Sequence, residues 1–101
     1  MTRHAYRYQF GKPASLREAE EVLSTAILAA TGLFGYAHVR MNVRFSIDET
    51  INVIVIDAGT VAGAAVNLIF TALLAGKFGH EAFDVALVET IGLLLEATSD
   101  R

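Results

Sequence analysis

There is no cysteine anywhere in the 101 residues. That absence excludes a disulfide scaffold, and with it thiol nucleophiles and thiolate metal sites. Charge is scarce as well: charged residues make up 19% of the chain and hydrophobic ones 53%, where an ordinary soluble chain carries about 25% charge. The charge that is present sums to −3, with a sequence pI near 5.5, which argues against a general polyanion binder. Disorder is excluded in turn, because it requires low hydrophobicity together with high net charge. The length suits one domain, so the expectation is a single α+β domain over residues 1–101, with 91–101 as a C-terminal tail.

The scarcity is uneven. Between Thr50 and His80 the only formal charges are Asp57 and Lys77. Residues 58–76 are uncharged throughout, a run close to the roughly 20 apolar residues that cross a bilayer. Thr60, Asn67 and Thr71 within it, its many alanines and glycines, and the strand-like run at 51–56 before it all argue against insertion. The expectation is a buried helix of a soluble, self-associating protein, with no membrane partner. The first ten residues alternate polar and apolar and lack the continuous apolar core of a signal peptide, so a cytoplasmic setting is expected.

Periodicity supplies the elements. Tyr6, Tyr8 and Phe10 alternate with Arg7 and Gln9, which predicts a strand. Ser15 and Glu18 have capping-box spacing and open a predicted helix over 15–31. Its apolar stripe is Leu16, Ala19, Val22, Leu23, Ala26, Ile27 and Ala30, and Gly32 is its expected stop. From 37 to 47, Ala37, Val39, Met41, Val43, Phe45 and Ile47 alternate with His38, Arg40, Asn42, Arg44 and Ser46, predicting a long strand with one polar face. Asp48-Glu49-Thr50 links it to 51–56 in an antiparallel hairpin, and the second arm is apolar on both faces, as a central strand is.

Thr60 or Asp57 is the expected cap of a helix over 61–78, with Gly79 at its end. Phe83, Val85 and Leu87 predict a last strand over 81–90, although Val85, Val88, Ile91 and Leu95 also fit a helix. The strand reading completes the order strand, helix, strand, strand, helix, strand. That is the order of a two-layer ferredoxin-like βαββαβ sandwich: a four-stranded antiparallel sheet, first and third strands central, with two helices on one face.

Signals for chemistry are few. His4, His38 and His80 fall in separate elements without the spacing of local metal ligands, so no metal and no cofactor is expected. No serine lies in a nucleophile elbow. The segment 57–63 lacks both the Gly-Lys-Ser/Thr ending of a phosphate loop and the dinucleotide fingerprint.

Two surfaces carry the functional expectations. The first is a basic sheet face for a ligand, made of Arg7, His38, Arg40 and Arg44 with Asp57 nearby. RNA-binding sheets stack bases on strand aromatics, whereas Tyr6, Tyr8 and Phe45 are assigned here to the core side, so no nucleic acid is expected. The second is an interface for another copy, drawn from Ile54 and Ile56 on the uncovered sheet face and Leu94 in the tail. It also includes the small, weakly polar row Gly63, Asn67, Thr71 and Ala75. The resulting expectation is a homo-oligomeric binding or structural module without catalysis. The alternatives are a small-ligand-binding protein or enzyme with a pocket between sheet and helices or at the dimer seam, and anion or nucleic-acid binding by the basic face.

Overall fold

A computed structural model describes residues 3–90. The alternating N-terminal residues form β1 (Arg3–Phe10), and a two-residue turn leads into α1 (Pro13–Phe34). The helix begins earlier than the capping box predicted. Pro13 stands at its start behind Lys12, which makes no side-chain cap bond, and Ser15 lies inside the first turn. Proline suits that position because its φ is already helical and its missing N–H would have had no partner. Gly32 is likewise passed through. The stop is Gly35, at φ +90, whose N–H closes on the Thr31 carbonyl at 2.9 Å.

A larger correction concerns the predicted strand over 37–47. Its first part is a short helix, α2 (Tyr36–Asn42), and only β2 (Phe45–Asp48) is extended. The reason is the length of the partner strand. β2 pairs with β3 (Val53–Asp57), from Asp48 opposite Val53 to Phe45 opposite Ile56, and the Asp57 N–H reaches the Arg44 carbonyl at 2.9 Å. β3 ends there, so residues before Arg44 have no strand to pair with. Backbone groups with no strand beside them bond water or one another, and a helix supplies such bonds while letting Val39 reach the core. Val39 alone turns inward from α2. The expected antiparallel hairpin forms, with Asn52 at φ 54 completing its turn.

α3 (Val61–Phe78) follows with the predicted bounds, capped by the Thr60 hydroxyl accepting from the Gly63 N–H at 2.9 Å, and ends before Gly79. A 3-10 turn (His80–Ala82) leads to β4 (Phe83–Thr90), a strand as predicted; the tail from 91 onward, with Leu94, lies outside the described residues.

The sheet is antiparallel in the order β2-β3-β1-β4, with β1 and β3 central. One face of it meets all three helices. Tyr8, Phe10, Ile54, Ile56 and Phe83 join Leu16, Leu23, Val39, Val66, Phe70 and Leu74 in a single core. Directly opposed residues of an antiparallel pair share a face, so the register places Ala5, Val53, Val55 and Val88 on the other side, as a smaller second cluster. The fold is thus α+β with three helices, one more than expected. Short connections make α1 run back along β1 and α3 back along β3. Because β1 and β3 are antiparallel, so are the two helices, and the C-terminal half of α1 lies beside the N-terminal half of α3.

Candidate functional site

The residues expected to form a basic sheet face are not brought together. Arg7 stays on the face of β1 away from the helices, half-buried, and donates to Gln9 Oε1 at 3.0 Å. His38 and Arg40 lie on α2 instead, exposed. The His38 ring stacks on Phe34 at 5.7 Å, and Arg40 donates to the Tyr36 hydroxyl at 3.1 Å. Arg44 is exposed at the approach to β2. Asp57 is almost fully buried at the end of β3, where its carboxylate accepts from the Gly59 N–H at 2.8 Å and so fixes the turn into α3. Among the described residues no three His, Asp or Glu side chains gather as a metal site would require.

The expected interface residues are placed just as differently. Ile54 and Ile56 are fully buried in the helix-side core. The face of β3 away from the helices carries Val53 and Val55, which are buried as well in the smaller cluster with Ala5, so neither set of β3 side chains lies on an uncovered face. The row on α3 turns inward too. A Cβ on Gly63 would collide with the Asp57 carbonyl oxygen and crowd the Thr60 hydroxyl, so glycine is what lets the helix sit this close to the preceding turn. Asn67 is buried and accepts a short hydrogen bond from the Tyr8 hydroxyl, whose oxygen lies 2.6 Å from Thr71 Oγ1. Thr71 also reaches the Asn67 carbonyl at 2.8 Å. Burial pushes the Tyr8 hydroxyl above the ordinary tyrosine range; the Thr71 hydrogen bond offsets part of this, and nearby Tyr6 adds to it. With Phe70 edge-on to the ring at 4.9 Å, this group holds the middle of β1 against α3. Ala75 is half-buried.

Several large apolar side chains remain outside. Leu28, Leu33, Tyr36, Met41, Val61 and Leu68 are all between 66% and 74% exposed. All six lie in the helix layer, on the C-terminal half of α1, on α2 and on the N-terminal half of α3, which the topology puts at one end of the molecule. The other half of α1 shows Arg17, Glu18, Glu21, Ser24 and Thr25 to solvent, as an ordinary surface helix does. Sequence reasoning followed the inward stripe of α1 and passed over the residues beside it. Their signal was present: Leu28, Ala29 and Leu33 fall off that stripe where lysine or glutamate would be expected.

No family model, curated protein or solved structure matches this chain.

Proposed function

We propose that the chain is a cytoplasmic, homo-oligomeric binding or structural module of ferredoxin-like architecture, without catalysis. The single observation that carries the reading is the apolar end of the helix layer, six large side chains facing water in a chain poor in charge. Monomeric soluble proteins seldom expose contiguous apolar patches beyond a few hundred Å², and larger ones mark interaction sites.

The architectural part rests on the central position of β1 and β3 and on the two helical crossovers, β1 to β2 and β3 to β4. α2 is an insertion into the first crossover. What supports the reading without catalysis is that these polar side chains have structural roles: Asp57 fixes a turn, Thr60 caps a helix, and Tyr8, Asn67 and Thr71 bond one another. Sedimentation equilibrium of the full chain from about 1 to 100 µM tests the proposal, which expects a dimer or larger species. A monomer across that range contradicts it.

A further inference from the structure

We infer that the outer face of the helix layer is the surface on which a second copy of this chain docks, with α1 of one copy antiparallel to α1 of the other. The inference rests on the homo-oligomeric reading and specifies its surface.

Three observations lead to it. Leu28 stands six residues before the end of α1 and Leu68 seven after the start of α3, so in antiparallel helices the two are level and form the middle of the face. The same outward side carries glycine in both helices, Gly32 and Gly76, and nothing lies within 4 Å of a Cβ built on either. Glycine inside a helix costs up to about 1 kcal/mol against alanine, and at these two positions no packing among the described residues calls for it. Close approach of another helix would.

The third observation is charge, and it selects the occupant. Residues 17–21 of α1 hold three glutamates and one arginine, whereas from residue 22 to residue 47 there is no acid at all and Arg40 and Arg44 are the only formal charges. Among the described residues, Glu18, Glu21, Arg40 and Arg44 form no ion pair. A two-fold axis crossing both helices at the level of Leu28 and Leu68 lays the Glu18/Glu21 end of each copy over the α1–α2 corner of the other, where Arg40 stands. The face is therefore self-complementary: acid at one end, apolar in the middle, base at the other, as an isologous contact requires.

Size draws α2 in as well. About a two-fold at Leu28 and Leu68, helices of 22 and 18 residues overlap their copies over roughly 20 and 22 Å and, packed roughly 10 Å apart, offer on the order of 400 Å² per copy. The total falls short of the roughly 1,200 Å² at which specific interfaces begin, so α2, with exposed Tyr36 and Met41, takes part beside both leucines.

The test is the solution mass of the full chain and its variants, with circular dichroism to confirm the fold. Leu28→Glu with Leu68→Glu should give a folded monomer at concentrations where the parent is a dimer. Glu18→Lys with Glu21→Lys should weaken the dimer on the order of tenfold, and adding Arg40→Glu should restore it. Ala86→Lys, exposed on β4 on the face away from the helices, should leave the mass unchanged. If the leucine variant stays dimeric and Ala86→Lys dissociates it, the copies meet through the sheet, and this inference fails while the homo-oligomeric reading stands. If the parent is monomeric at every concentration, the homo-oligomeric reading itself fails. A monomeric parent that sediments with phosphatidylcholine vesicles makes the face a lipid-docking surface, which also overturns the inference.

Discussion

The two sides of α3 reverse the usual relation between polarity and burial. Its inner side carries Gly63, Asn67 and Thr71 among the large core residues, and its outer side carries Val61, Leu68, Ala72 and Gly76. An ordinary surface helix turns its polar side to water. Here the few polar groups are inside because they have partners there: Tyr8 bonds Asn67 and Thr71, and Gly63 fits against the Asp57 carbonyl. A buried polar group that is hydrogen-bonded carries little of the cost of one that is not. Among the described residues the outer side has no such partner, so the inner side holds the fold together and the outer side is the surface proposed for a second copy.

Substitutions on the two sides should separate sharply. The widest gap is between Phe70→Ala and Leu68→Ala. Phe70 is fully buried against Tyr8, so its loss should cost about 3–5 kcal/mol. The same truncation at exposed Leu68 should change chemical-denaturation stability of the dissociated chain by less than about 0.5 kcal/mol. Equal effects would erase the distinction.

Gly63→Ala comes next. The new methyl group meets backbone rather than a movable side chain, and an expected loss of about 1–3 kcal/mol would appear as a lower urea midpoint. Tyr8→Phe should cost a similar amount, about 1–3 kcal/mol, since Asn67 loses its buried donor. This variant also has a pH signature. The Tyr8 hydroxyl is held above its ordinary value of 10.0, so the unfolded phenol ionises first and the parent loses stability as the pH rises past that value. Tyr8→Phe removes this share of the alkaline loss, and stability curves of parent and variant should converge above pH 10.0.

The smallest effect has the opposite sign. Gly76→Ala, on the open side, should raise the stability of the dissociated chain by about 0.5–1 kcal/mol, as a small rise in thermal midpoint. Destabilisation there would mean that the outer side is packed after all.

How much of this was legible in the sequence depended on whether the deciding interaction was local. α3 could be read to its ends because Thr60 caps it locally and Gly79 stops it. Alternation of Phe83, Val85 and Leu87 identified β4, whose register with β1 runs its full length. Residues 36–42 could not be read that way. Their alternation suits a strand, yet the length of β3, far along the chain, leaves them nothing to pair with. The same limit governed the interface. Spacing showed that Gly63, Asn67, Thr71 and Ala75 share one side of a helix. It could not show which side faces the core when nearly every residue is apolar, and the Tyr8 hydroxyl that decides the matter lies on β1.

The absence of native cysteine makes the central claim directly measurable. Leu28→Cys creates the sole thiol of the chain, exposed on the outer side of α1 and at the proposed axis. A disulfide forms only between Cα atoms about 4.4–6.8 Å apart, so mild oxidation should yield a covalent dimer with Leu28→Cys and none with Ala86→Cys on the face of the sheet away from the helices. Cross-linking through position 86 with none through position 28 would contradict the account.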